Sequence, residues 1–475
     1  MTATAKTFKA RAHDALLDQN LRKALGKAKG GFIDKRTAAV EQFPDFERLR
    51  ERGRDIKNHS LENLDYYLEQ FSSRVEEQGG NVHWAEDGDT ARDIIMDICR
   101  RAGARSVIKS KTMAGEEIGL NEHLEAEFET VETDLGEYII QLAHEPPSHI
   151  IAPAVHKTRE EISSLFDHYH HQRDDGRLRE VPELVDEARQ VLREKFLGAD
   201  VGISGANFLV AETGTVALVT NEGNADLGTN LPRVHIVIAG IEKIVPDLED
   251  ASTMLRLLGR SATGQDISTY TTFLTGGRRE GDLDGPEEYH VVLMDNGRTR
   301  MLGNEFRDML RCIRCGACLN HCPVYSAIGG HAYGWVYTGP MGSVLTPMFL
   351  GLDKAVDLPN ACTLNGRCGT VCPVKIPLPD LLRRIRDHQF EQRLTSPTSR
   401  WALKLWGWAA ARPRLYHLGA RIATRAIRML GGKHGSVRRF PLAGGWTDGG
   451  RDLPLPNTNE TFQAAWRRRQ RNMGN

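Results

Sequence analysis

Seven of the chain's eight cysteines lie between Cys312 and Cys372, in two runs whose spacing defines a chemistry. The first, CIRCGACLNHCP, sets Cys312, Cys315, Cys318 and Cys322 at C-x2-C-x2-C-x3-C-P. Three thiolates at x2 spacing wrap one face of an iron–sulfur cubane, and the fourth, before a proline, is carried away from it. The second run, CTLNGRCGTVCP, keeps Cys362, Cys368 and Cys372 but has Asn365 where a further thiolate is expected. Structural zinc uses two separated pairs rather than such a run. A secreted disulfide framework does not crowd its cysteines into one stretch of a 475-residue chain. Cys99, alone in the helix-like ARDIIMDICRRAG, reads as a small buried core residue.

In two-cluster ferredoxins the fourth cysteine of each run serves the other cluster. That crossing gives cluster one Cys312, Cys315, Cys318 and Cys372, and cluster two Cys322, Cys362 and Cys368. Asn365 then faces a vacant corner or is a weak ligand. Three thiolates suit a [3Fe-4S] cluster, and the C-x5-C-x3-C-P run resembles that of the iron–sulfur subunit of succinate dehydrogenase and fumarate reductase. Two alternatives stay open: a [4Fe-4S] cluster with a non-cysteine ligand, and an empty second site. With one thiolate fewer, cluster two is expected to have the higher potential. Two clusters on one short crossed framework read as an electron-transfer wire.

The elements that must hold these runs begin near residue 80. NVHWA, SVIKS and SHIIAPA read as strands, alternating with the helical DTARDIIMDICRRAG, GLNEHLEAEF and TREEISSLFDHYHH. ADVGISGANFLVAETGTVALVTNEGN and PRVHIVIAGIEKIV follow. Such alternation predicts an α/β domain with a largely parallel sheet. Ligands of such sheets sit at the carboxyl ends of strands, which makes Gly202, Gly205, Gly214, Gly223 and Gly228 loop candidates. No G-x-G-x-x-G or Walker loop accompanies them. Residues 1 to about 65 read as helices on the outside of the molecule.

The net charge of −1 conceals an asymmetry: residues 381–475 carry 19 Lys and Arg against 5 Asp and Glu. A basic tail suits an acidic surface. It holds Trp401, Trp406 and Trp408 beside Lys404, Arg412 and Arg414, a composition for docking on protein or lying on an anionic membrane face. Its helix-like part is interrupted at Pro413, and the Pro/Gly-rich end is expected to be extended. No binding motif for nucleic acid accompanies the charge. No apolar leader or spanning run is visible, so the expectation is a cytoplasmic protein, with peripheral contact at the inner face of the membrane as an option.

Beyond the cysteines, PSHIIAPAVHKTREEI, GANFLVAETGTVALVTNEGN, GGHAYGWVYTGPMGSVLTP, CPVKIPLPDLL and LYHLGARIATRAIRMLGGKHG resemble the bacterial lactate utilization protein B family. The resemblance implies an N-terminal helical arm (1–65) and a LUD-type α/β domain (66–298) similar to CoA transferases and sugar-phosphate isomerases. An α-helical dicluster ferredoxin-like domain (299–392) and the basic tail (393–475) follow. It also implies a complex oxidising L-lactate to pyruvate, with a cysteine-rich redox subunit and a smaller LUD-domain protein as partners. The family's second run usually reads S-x2-C-x2-C-x3-C-P; here Cys362 fills the first position and Asn365 the second.

Oxidation of a 2-hydroxy acid needs a base for the hydroxyl proton, a cation for the carboxylate and an electron acceptor. The candidates are His149, His156, Glu212, Glu222 and Arg233, with His144, Lys157, Asn224 and His235 nearby. Glu212 invites comparison with the catalytic glutamate of CoA transferases, an analogy of fold alone. The plainer reading makes Glu212 and Asn224 loop caps and the histidines structural. Two further readings remain: the chain only carries electrons while a partner binds the substrate, or the complex oxidises another 2-hydroxy acid or glycerol phosphate.

Overall fold

Near-continuous apolar stretches such as VHIVIAG suit strands buried on both faces, and they form the centre of a parallel sheet. The computed structural model describes residues 5–170, 178–430, 435–438, 452–456 and 460–473. The strands of its two larger sheets are β1 (Asn81–Ala85), β2 (Ser106–Lys109), β3 (Glu129–Glu132), β4 (Val201–Ser204), β5 (Phe208–Val210), β6 (Thr215–Thr220), β7 (Val234–Gly240), β8 (Ile244–Val245), β9 (Tyr270–Leu274) and β10 (Glu288–Met294). The six-stranded sheet has the order β1-β10-β7-β4-β2-β3, and each pairing in it is parallel. From β2 the chain moves to β3 on one side, while β4 leads to β7 and β10 on the other. The carboxyl ends of β2 and β4 therefore flank the topological switch point, where such sheets leave a crevice.

Helices cover the sheet where their apolar faces demand it. Gly88–Arg101 starts at Asp87, whose carboxylate accepts the Thr90 N–H at 2.9 Å, and buries Ala91, Ile95, Ile98 and Cys99. Cys99 is thus the core residue expected, and burial pushes its thiol up to about 12. A second sheet, β8-β5-β6-β9, mixes parallel and antiparallel pairs. Its short hairpin strands are not foretold by the strand–helix alternation.

Three local expectations need correction. SHIIAPA is not a strand: Pro146 and Pro147 precede it, Pro153 interrupts it, and its polar groups bond elsewhere. Ser148 O accepts the Tyr325 hydroxyl at 2.8 Å, and His149 Nδ1 accepts the N–H groups of Ile151 and Ala152 at 3.1 Å. Within GLNEHLEAEF only Leu120–Leu124 is helical. The C-terminal end holds a helix at Phe462–Met473, since FQAAWRRRQRNM contains no Gly or Pro; residues 439–451 and 457–459 lie outside the described ones.

The cysteine region packs into the same compact unit as the sheets, Met1–Gln389. The two runs fold alike. Each enters a short helix, Ala317–Asn320 or Arg367–Val371, through left-handed residues. These are Arg314 (φ 59°) and Gly316 (φ 72°) in the first run, Leu364 (φ 54°) and Gly366 (φ 82°) in the second. N-terminal helices close over them: Phe8, Phe46 and Ile56 join Cys315, Cys322, Cys368 and Cys372 in one buried cluster. Gly330 shows how closely the regions fit, because a Cβ there would stand 1.7 Å from Ser148 O. The second unit, Phe390–Asn475, contains the helices Pro397–Ala410 and Pro413–Leu430, broken at Pro413 as its missing N–H requires, and neither buries a residue. Among the described residues no helix is long and apolar enough to cross a membrane.

Candidate iron–sulfur centre

Cys312, Cys315, Cys318 and Cys372 line one apolar cavity, joined by Met309, Ile313, Met341 and Val374. Cys372 reaches it from the second run because Cys372–Pro373 turns the chain away from the helix that carries Cys368. Cys362 and Cys322 lie near enough to Cys368 for their charges to act on it, as Cys362 acts on Cys322, and Cys368 in turn acts on Cys318. Burial first, then the neighbouring thiols, push Cys315 up to about 12 and Cys318 well above its ordinary value. Burial also raises Cys372 to about 11 and Cys368 to about 12. Thiols so placed ionise only beside a compensating cation, as the irons of a cluster are. Backbone amides already point at sulfur: Ile376 N–H donates to Cys372 Sγ and Leu364 N–H to Cys362 Sγ, both at 3.3 Å. The donor set therefore fits iron–sulfur clusters.

Asn365 sits where the fold equivalence places Cys315 in the first run. It is exposed, and its Oδ1 accepts the Arg367 N–H at 3.1 Å. Guanidinium groups bond the backbone at Cys372 and the residue before it: Arg36 donates to Val371 O at 3.0 Å, and Arg50 to Cys372 O at 2.7 Å.

A buried ionic chain ties this region to the parallel sheet. Arg298 bridges Glu117 at 2.9 Å and Glu242 at 2.5 Å. Glu242 also meets Arg314 at 3.4 Å, and the Tyr337 hydroxyl donates to Glu117 at 2.5 Å. Although burial opposes it, the Arg298 and Arg314 guanidiniums hold the Glu242 carboxyl down at about 2. Lys57, donating to Glu242 O and Ile244 O, is pushed down to about 7 by burial.

A cavity of about 250 Å³ opens where β2, β4 and β7 end, lined by Ser110, Lys111, Asp134, Glu222, Lys243 and Arg314 among others. It contains Glu222, Asn224 and Gly205 of the sequence candidates. Glu222 Oε2 accepts the Leu135 N–H at 3.1 Å, and burial together with the Asp134 carboxylate raises its carboxyl. The other candidates lie elsewhere. Buried His149 joins the loop before Ile151 to Asn320 Oδ1 at 2.9 Å and is pushed down to about 4 by burial. His156 meets Glu145 at 2.7 Å and stacks edge-on with His331, while Lys157 shares the same carboxylate at 2.5 Å. His144 lies against Tyr169. Glu212 is exposed in the turn after β5, and Arg233 precedes β7 at the opposite end of the sheet, paired with Glu288 at 3.0 Å. His235, within β7, bonds Ser204 Oγ at 2.8 Å. Gly202 packs on Gly228 inside the sheet layer, Gly223 faces the Tyr270 ring, and Gly214 abuts Arg74.

Sequence reasoning did not name Lys111, Lys243 or Arg314. Lys111 and Lys243 follow β2 and β7 directly, so their place after a strand was the available signal. Arg314 lay between two cysteines, where only the fold reveals what it faces.

Comparison with known proteins adds two domain families. The LUD domain family matches residues 68–294, and the 4Fe-4S dicluster domain family matches residues 308–376. Lactate utilization protein B of Lysinibacillus sphaericus (strain C3-41) is 44% identical over 463 residues, covering 97% of this chain and 96% of that protein. Lactate utilization protein B of Bacillus subtilis (strain 168) is 45% identical over 424 residues, 88% of each chain. A protein of Escherichia coli (strain K12) described as an uncharacterized electron transport protein, YkgF, is 42% identical over 467 residues, 98% of this chain and 97% of that one.

Proposed function

The chain belongs to the lactate utilization protein B family, and from that premise we propose that it is the iron–sulfur electron-transfer subunit of a complex that oxidises L-lactate to pyruvate. The observation that carries the reading is the gathering of seven cysteines, buried or half-buried, inside the unit that holds the LUD sheets, with Cys372 of the second run sharing a cavity with Cys312, Cys315 and Cys318 of the first. Iron–sulfur clusters supply one-electron transfer. In this reading Cys312, Cys315, Cys318 and Cys372 hold a [4Fe-4S] cluster. Cys322, Cys362 and Cys368 hold the second, a [3Fe-4S] cluster whose vacant corner faces Asn365. The chain's part is to bury both sites, to aim amide N–H groups at the sulfurs and to set Arg36 and Arg50 over Cys372, all of which tune potential.

The partners are a cysteine-rich redox subunit and a smaller LUD-domain protein. The basic tail supplies docking charge for them or for the inner face of the membrane. A second reading, electron carriage for another 2-hydroxy acid or glycerol phosphate without a substrate site in this chain, is favoured by the E. coli relative, whose description names electron transport and no fuel. The test is anaerobic purification with the partners and electron paramagnetic resonance before and after substrate. Reduction of both clusters by L-lactate is expected. Reduction by glycolate or glycerol 3-phosphate but not by L-lactate overturns the lactate reading.

A further inference from the structure

The cavity at the switch point holds charges that the cysteines do not require. Its two carboxylates are already engaged. Asp134 Oδ1 accepts the N–H groups of Gly136 and Glu137, and its Oδ2 stands 3.8 Å from Lys111 Nζ. Glu222 holds the Leu135 N–H. Its cations are not so matched. Lys243 has no hydrogen bond or ion pair among the described residues. Arg314 lies over the Tyr337 ring at 4.6 Å and reaches Glu242 with Nη2 at 3.4 Å, but its buried Nε has no partner. An unpaired lysine beside an under-used guanidinium, in a crevice where open α/β sheets take ligands, calls for an anion.

Size narrows the choice. About 250 Å³ lies below the roughly 300–1,000 Å³ of pockets for drug-sized ligands. The space suits an acid of a few carbons with accompanying water. Glu222 and Asp134 line the same cavity and are able to accept a hydrogen bond from a ligand hydroxyl. Arg314 also lies between Cys312 and Cys315 and lines the cavity that holds them, so one residue is shared by the two cavities.

We propose that this cavity binds a small 2-hydroxy acid, its carboxylate at Lys243 and Arg314 and its hydroxyl toward Glu222 and Asp134, so that this chain itself holds the substrate. The inference rests on the lactate reading and adds the place where that substrate sits.

The test is anaerobic calorimetric titration of the full chain, clusters assembled, with L-lactate and separately with acetate. Saturable one-site binding of L-lactate is expected, with acetate weaker because it lacks the hydroxyl. Lys243→Gln should weaken L-lactate binding roughly tenfold or more, as loss of a charged hydrogen bond does, with iron content and resonance spectrum unchanged. Arg233→Gln, at the far end of β7, should bind like the parent. No binding to the parent chain, equal binding of acetate, or full affinity in an iron-replete Lys243→Gln protein overturns the site. The acetate comparison needs no variant and decides the matter if Lys243→Gln loses iron. Reduction of the clusters by L-lactate in the complex, with no binding to the chain alone, refutes this site and leaves the proposed function standing. A complex that L-lactate does not reduce refutes the function itself.

Discussion

At the scale of single residues, the proposal of a three-iron second cluster turns on Asn365. Its Oδ1 is engaged by the Arg367 N–H at 3.1 Å, an Asx-type turn that starts the short helix Arg367–Val371. Iron ligation by that oxygen would have to share it with the turn's hydrogen bond, which favours the vacant corner. Asn365→Cys should then let a fourth iron bind, converting the anaerobically prepared second cluster from [3Fe-4S] to [4Fe-4S]. The oxidised parent should give a three-iron resonance signal that the variant loses. The added thiolate charge should lower the cluster's potential, each 59 mV or so changing a one-electron equilibrium about tenfold. Eight irons and no three-iron signal in the parent would sink the vacant corner and make Asn365 a candidate ligand, beside water or a substrate oxygen. Cys372 poses the complementary question, because it lies in the second run yet lines the cavity of the first. Cys372→Ser should damage the cluster held by Cys312, Cys315 and Cys318, measured as selective loss of its resonance signal. Loss confined to the other cluster would refute the crossed assignment.

At the scale of elements, the LUD sheets and the cysteine loops are held together by buried polar groups that fail in different ways. Arg298 is 2% exposed and neutralises Glu117 and Glu242 at once. Arg298→Met leaves both carboxylates without that cation, and removing one partner of a buried ion pair costs about 3–5 kcal/mol. A markedly lower thermal midpoint and faster iron release should follow; an unchanged midpoint would mean that Arg314 and Lys57 suffice. His149 makes the second tie, and its dependence on acidity has a definite sign. Burial lowers it from 6.5 to about 4, so the folded chain prefers the neutral ring, whose Nδ1 accepts two N–H groups. The corresponding stability, about 3 kcal/mol, is complete above pH 6.5 and is lost as the pH falls through about 4. Hydrogen exchange at Ile151 and Ala152, corrected for its intrinsic pH dependence, should rise across that window. Neither tie was legible in the sequence. Periodicity reveals which face of a strand or helix is buried, which is why β1, β2, β7 and the helix Gly88–Arg101 were readable. It is silent on which distant carboxylate meets Arg298, and the residues around His149 looked strand-like only because Ile150 and Ile151 are β-branched.

At the scale of the molecule, the two cysteine runs and the α/β alternation were readable because covalent spacing and period-two or helical repeats are local properties. The cavity was not, since Lys111, Lys243 and Arg314 come from separate parts of the chain and meet only through the strand order. The tail is a different case: its chemistry is local and its purpose is external. In the helix Pro413–Leu430, Leu415, Leu418, Ile422 and Leu430 are between 42% and 61% exposed, and Arg414, Arg421, Arg425 and Arg428 accompany them. A helix with an uncovered apolar stripe and four guanidiniums is matched by an acidic surface with an apolar groove or by an anionic bilayer. The first is the arrangement to test, since four guanidiniums on one helix suit an acidic protein surface. Ending the chain after Arg393 should therefore leave both clusters intact but weaken association with the partner proteins at low ionic strength. High salt should weaken the full chain in the same way, since exposed charges are screened beyond about 10 Å at 0.1 M. Sedimentation with and without salt measures the first effect, and flotation with vesicles containing anionic lipid measures the alternative. Loss of flotation alone would assign the tail to the membrane; no change in either measurement would leave its charge without a binding role.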